Sequence, residues 1–497
     1  MKNIKYMKQL FGVTLFSCLL LTSQSCQKSF LNVPVQNQQP AVAFFQNATD
    51  AGKAVNAMYA NLREWTNIAF APIAVESMGS DDAEKGSSTN DASYMNDFDN
   101  FTATAGEGQI QDFWHGQYQT INLANVVLDN VPGVNMDANL KARFLAEAKF
   151  IRAYSYFRLV RAFGDVPLRL SVAKNSSEYN IPRSPKATVW AAIESDLTDA
   201  ATVLPQAYSA VDIGRITKGA ALALHAKVSM YQKKWADVVT YTTQVMGLGY
   251  TLFPNYEQMF RTNNKNNSES IFEVQCMLVL GNPDASNSQY SQVQGVRGST
   301  GGGWGFNVPT QDLINEFEPG DPRLNGTVIF RGTTTPEGDA IPAFIPGQTD
   351  NHYFNMKSYV PFSMFVQNYN EGCMQDKIVL RYADVLLMNA EANNELGQTA
   401  TALASLELVR ARARQGNNAI LPKVIVTDPA ALRAAIYHER RVELAMEFDR
   451  YFDVIRQGRA LAVFGPKGWK ANKNEVWPIP QNEIDLSAGV LTQNLGY

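Results

Sequence analysis

The sequence predicts a mainly α-helical protein in which irregular antiparallel helix pairs flank a loop-rich middle region carrying short strands. Three observations predict it. Apolar residues recur with helical period through about 48–248 and again through about 376–460. Short turns cut these stretches into helices of similar length. Between them, roughly 249–375 is rich in Gly, Pro, Asn and Thr and has little helical period.

In the first region, "NLKARFLAEAKFIRAYSYFRLVRAFG" places Leu140, Phe144, Leu145, Ala148, Ile151 and Phe157 on one apolar stripe. Gly164 ends that helix and Pro167 forbids its continuation. The stretch 218–246, "KGAALALHAKVSMYQKKWADVVTYTTQVM", reads as two helices turning at Lys233-Lys234, with small alanines allowing close approach. In the second region, "ADVLLMNAEANNELGQTATALASLELVRARA" (383–413) repeats the plan around Gly397. Units of this size resemble tetratricopeptide repeats, and the Leu396-Gly397 turn fits that pattern. One such pair cannot bury its apolar face alone, so pairs stack. The middle region holds "NNKNNSES", "GSTGGGWGFNVPT" and "TTTPEGDAIPAFIPGQTD", with "SIFEVQ" as a strand. A loop segment this long inside a compact domain is usually functional.

The front of the chain carries Lys2, Lys5 and Lys8 and then an apolar run, Phe11–Leu21. That run has the length of a signal-peptide core and is too short to span a bilayer. Ser25-Cys26 follows, where a small residue precedes a cysteine as in a bacterial lipobox. Cys26 is therefore the expected lipidation site. Leu15 and Ser17 give Cys18 similar offsets, but cleavage there would shorten the apolar run and leave Leu19–Leu21 exposed. The expected organisation is a leader at 1–25, an N-terminal helical region at 26–248, and a C-terminal region at 249–497. The last comprises the loop segment 249–375 and the helical 376–497.

Composition narrows the function classes. Lys and Arg number 43 against 47 Asp and Glu, so no basic excess points to nucleic acid. Of four cysteines, only Cys276 and Cys373 lie beyond the front segment; a disulfide between them stays open. No Cys/His cluster has zinc spacing. His438-Glu439 begins like the zinc motif HExxH, but Val442 stands where the second histidine belongs. "GSTGGGWGF" lacks the Lys-Ser/Thr of a phosphate loop. No catalytic constellation, metal or cofactor is expected.

Several stretches in order resemble the SusD/RagB family of outer-membrane nutrient-binding lipoproteins. They are "CQKSFLNVP", "EAKFIRAYSYFRLVRAFGDVPL" (147–168), "GGWGFNVPTQDLINEFEPGDPR" (302–323), "VLRYADVLLMNAEANNELG" (379–397), "HERRVELAMEFDRYFDVIRQGRA" (438–460) and "VWPIPQNEIDL" with "LTQNLGY" at the end. The resemblance implies about four tetratricopeptide-like helix pairs and a lipid anchor on the cell-surface side of the outer membrane. It implies a SusC-like TonB-dependent transporter as partner. It further implies a binding protein rather than an enzyme, capturing oligosaccharides or, in some members, peptides. A helical-repeat adaptor that binds only protein is the remaining alternative.

A sugar site needs flat aromatic faces, with amides, carboxylates or guanidinium groups for the hydroxyls. Two loops offer them. Residues 67–108 hold Phe70, Tyr94, Phe98, Phe101, Asn96 and Asn100 among acids: Glu76, Asp81, Asp82, Glu84, Asp91, Asp97 and Asp99, against Lys85 alone. Residues 284–306 hold Tyr290, Trp304 and Phe306 in Gly-rich polar sequence. Trp304, Tyr290, Phe306, Tyr94, Phe98 and Asn96 are the candidate ligand residues. The plainer role for each ring is a core staple, and for the acids a solvated loop. Arg152, Arg158 and Arg161, and the charged run Glu439–Arg456, are expected to tie helices together.

Overall fold

A computed structural model describes residues 44–175, 178–279, 282, 288–298, 302–344, 351–364 and 374–497. Asn47–Tyr497 forms one compact unit; of the preceding unit, Met1–Gln46, only 44–46 are described. The leader, Cys18, Cys26 and Cys373 lie outside the described residues. Cys276 is buried, its Sγ 3.3 Å from Ser288 Oγ.

The principal helices are α1 (Ala48–Asn61), α2 (Gly108–Asn130), α3 (Ala138–Phe163), α4 (Lys186–Val203), α5 (Lys218–Tyr231) and α6 (Trp235–Met246). After the middle region come α7 (Tyr382–Glu395), α8 (Thr399–Arg414), α9 (Pro429–Leu444), α10 (Arg450–Arg456) and α11 (Gln481–Leu486). Their ends follow from local chemistry. The Asn47 side chain accepts the N–H groups of Thr49 and Asp50 and starts α1. Asp137 caps α3, which stops at Gly164 with φ +74°. Asp428 caps α9, with Pro429 in its first turn. The turns at Lys233 (φ +57°) and Gly397 (φ +73°) separate α5 from α6 and α7 from α8.

Each helix packs on the next from α1 to α6. α6 then packs on α7 although the whole middle region separates them in sequence, and α7 packs on α8 and α9. The helical stack is thus continuous, and the middle region is displayed upon it. Ala383, Leu386, Leu387, Ala390, Ala402, Leu406, Val409, Leu432 and Ile436 are fully buried where α7, α8 and α9 meet. Burial of each large apolar side chain contributes about 1.5–3 kcal/mol. The middle region has a small core of its own, with Val296, Val308, Ile329, Ile341, Phe354, Met356 and Tyr359.

The described strands form three antiparallel ribbons: β1 (Ala83–Gly86) with β3 (Phe306–Pro309), β2 (Ser270–Val274) with β6 (Lys377–Arg381), and β4 (Val328–Phe330) with β5 (Tyr353–Asn355). The β1–β3 ribbon matters most for function. Its register, Glu84 opposite Val308 and Gly86 opposite Phe306, brings the loop before α2 against the middle region.

Buried ion pairs join distant segments. Glu443 on α9 accepts from Arg381 at 2.6 Å, from Arg323 at 3.0 Å and from Arg412. Burial alone would raise its carboxyl, but Arg412, Arg381 and Arg323 outweigh burial and hold it well below the usual range. Arg456 on α10 grips Glu391 on α7 at 2.6 and 2.8 Å. The charged run therefore ties helices together, as its spacing predicts.

Candidate functional site

The site begins with the short turns that follow α1. Trp65 opens the turn Trp65–Ile68, and Phe70 opens the next, Phe70–Pro72. Ala69 between them (φ −103°, ψ −109°) bends the chain so that the two rings stack, 5.4 Å apart at 20°. Phe70 meets Phe306 edge-on at 4.9 Å and Tyr94 edge-on at 6.4 Å. Trp304 completes the group, 5.9 Å from Trp65 and tilted by 54°. Phe70 and Phe306 are 5% and 4% exposed and form the base. Trp65 and Trp304 are half-buried and Tyr94 is 38% exposed, so these three form the accessible layer.

Backbone contacts fix Trp304 in this layer. Its N–H donates to Gln292 O at 2.8 Å, and Arg297 donates to its carbonyl at 3.1 Å. Arg297 also reaches Ser87 Oγ at 2.8 Å and Asp91 at 2.8 Å. Partial burial would raise the Asp91 carboxyl, but the Ser87 hydroxyl and Arg297 outweigh it and keep the group ionised. Two glycines permit the approach. A Cβ on Gly303 would stand 2.2 Å from the Gly295 carbonyl carbon. Gly86 holds φ +67°, and a Cβ there would meet Gly305 O at 2.3 Å.

A polar group sits beside the rings. Gln109, in the first turn of α2, donates to the Tyr94 hydroxyl at 3.4 Å, while its own side-chain oxygen is buried and has no partner among the described residues. Burial raises the Tyr94 phenol, with the Gln109 bond acting in the opposite sense. The arrangement offers ring faces to apolar C–H surfaces and an amide and a hydroxyl to hydroxyl groups.

Tyr290, Phe98 and Phe306, expected from the sequence to face ligand, are all buried. Tyr290 is 6% exposed, 6.4 Å from the Phe448 ring and beside Lys377. Phe98 is fully buried against Trp477, 5.3 Å away. Phe306 lies beneath the accessible rings. Exposed Asn96 lines a separate polar cleft of about 480 Å³ with Glu84, Lys85, Asp99, Gln311 and Tyr353. Trp304 and Tyr94 do come together at the surface, with Phe70 beneath them. Trp65 and Gln109 were missed; the signal for Trp65 was a tryptophan among polar residues just past the end of α1.

The acidic loop is not a solvated loop. Arg158 grips Glu76 at 3.0 and 2.8 Å, Arg450 holds Asp81 through two bonds of 2.7 Å, and Arg441 reaches Asp82 at 2.8 Å. These carboxylates anchor the base of the site to α3, α9 and α10.

Comparison with known proteins bears on this geometry. Residues 268–497 match the model of the SusD family, and residues 29–230 match a family described as starch-binding, associating with outer membrane. A solved laminarin-binding SusD-like protein is 32% identical, with a TM-score of 0.80 over 91% of this chain and 100% of that one. This chain belongs to the SusD family. A SusD-like protein of Formosa agariphila is 27% identical over 97% of this chain and 99% of its own length. A SusD-like protein from Bacteroides fragilis is 26% identical, with a TM-score of 0.77 over 91% of this chain and 98% of that one. Among the described residues no helix is long and apolar enough to cross a membrane.

Proposed function

We propose that this SusD family member captures oligosaccharides on the Trp65–Trp304–Tyr94 platform and hands them to a SusC-like TonB-dependent transporter in the outer membrane. The observation that carries the reading is the set of accessible rings on a rigid aromatic base, with a buried amide oxygen beside it. The laminarin-binding relative supports a glycan as the ligand class. Lipidation at Cys26 anchors the protein to the outer membrane, with the platform on the cell-surface side. The protein is read as a binder; of the acids around the site, Asp91 is held by Arg297 and Glu76 by Arg158.

The test is a fluorescence titration of the full chain in detergent with β-1,3-glucan, starch, xylan and oligopeptides. Saturable quenching by one glycan class, reduced in Trp65→Phe and Trp304→Phe variants, supports the reading. Saturation by peptides alone overturns the ligand class. Co-purification of a TonB-dependent barrel with the membrane-bound protein tests the partner.

A further inference from the structure

A second cleft, of about 410 Å³, lies between α2, residues 167–173 and 179–181, and α11. Its volume falls in the range of small-ligand sites. It contains none of the platform residues.

Its wall is fixed in advance. Residues 167–173 lie outside helix and strand, yet α2 and α3 fasten them by side chains. Tyr118 donates to Pro167 O at 2.7 Å, Asn125 donates to Arg169 O at 3.1 Å, and Asp129 accepts the Val172 N–H at 2.8 Å. The Tyr156 hydroxyl accepts the Arg169 N–H at 2.6 Å. The Arg169 guanidinium donates to Glu178 O at 2.7 Å and to Tyr179 O. A wall ordered before binding spares the ligand that ordering cost.

The cleft also presents polar groups that a ligand can reach. Trp114 lines it, and its indole N–H donates to no described residue and is not shut off from solvent. The side chains of His115, Asn122 and Asn180 are exposed, and with that of Glu483 they make no hydrogen bond among the described residues, so they are available to a ligand. Beside them stand the Tyr118 ring, 5.0 Å from Trp114, and Tyr179, 59% exposed.

We propose that this cleft is a second carbohydrate site, taking the end of a neutral oligosaccharide. Ring faces, an accessible N–H donor, two amides and a carboxylate are what a pyranose with many hydroxyls requires. The open platform suits the side of a chain, whereas a walled cleft suits its end. Arg169 is committed to carbonyls and Glu483 is acidic, so an anionic sugar finds no cation held ready. The inference shares its ligand class with the platform reading but stands on separate residues.

Calorimetric titration of the full chain in detergent with laminarihexaose tests it. The expected result is two sites in the parent. One remains in Trp65→Ala/Trp304→Ala, and the other remains in Tyr179→Ala/Glu483→Gln, with the lost site at least tenfold weaker. Trp114→Phe, which keeps a ring and removes the N–H, weakens the second site alone. A single site lost with the platform variant and untouched by the cleft variant overturns this proposal and leaves the platform reading standing. A single site lost only with the cleft variant does the reverse. No binding to either overturns both.

Discussion

The ring of Trp65 lies 5.9 Å from that of Trp304 at an angle of 54°, although one follows α1 and the other lies in the middle region. The β1–β3 ribbon and the shared base of Phe70 and Phe306 bring them together. Two tilted faces form a curved platform, and a bound chain that touches both couples them energetically.

Trp65→Ala and Trp304→Ala are each expected to weaken glycan binding by about 0.5–1.5 kcal/mol, roughly 2- to 12-fold. A double-mutant cycle should give a coupling of about 0.5 kcal/mol or more, because the rings touch each other and one ligand. Calorimetry on the four proteins measures it. Strict additivity would mean the rings serve separate ligands.

Gly303→Ala should displace Trp304, since the new Cβ would stand 2.2 Å from the Gly295 backbone. We expect weaker glycan binding with the helical stack intact. Near-parent far-ultraviolet circular dichroism alongside a raised dissociation constant would bear this out; unchanged affinity would mean the loop relaxes without moving the ring.

Glu443→Gln should cost about 3–5 kcal/mol, because it leaves Arg381, Arg412 and Arg323 buried with too little negative charge. Urea unfolding at neutral pH reads the loss. A cost below about 1 kcal/mol would show that Glu269, Glu439 and Glu447 absorb the charge.

His225 on α5 is stacked on Tyr241, ring centroids 3.9 Å apart. Burial, helped by Lys234 and opposed by Glu194 and Asp237, lowers its pKa to about 4. A depressed histidine binds fewer protons folded than unfolded between about pH 6.5 and 4, so stability falls as pH drops through that window. The expected contribution is roughly 3 kcal/mol across it. A His225→Phe variant keeps the stacked ring and should flatten that part of the stability profile; an identical profile would assign the acid sensitivity elsewhere.

The helices were legible because their signals are local. Gly164, Lys233-Lys234 and Gly397 mark turns by their own conformational needs, and the apolar stripes lie within single helices. Trp304 and Tyr94 were legible as rings in polar sequence. Tyr290 and Phe98 looked the same in sequence; what buries them, Phe448 and Lys377 in one case and Trp477 in the other, comes from remote segments. The acids of 67–108 looked solvated for the same reason, since Arg158, Arg441 and Arg450 reach them from α3, α9 and α10. Trp65 was missed because it stands at a helix end, where a tryptophan commonly serves as packing.

The most direct test of the platform is a calorimetric titration of the full chain and its Trp304→Ala variant with laminarihexaose and with oligopeptides of similar size. We predict saturable glycan binding by the parent, several-fold weaker in the variant, with no peptide binding by either. Equal glycan affinity in parent and variant, or saturation by peptides alone, would contradict the account.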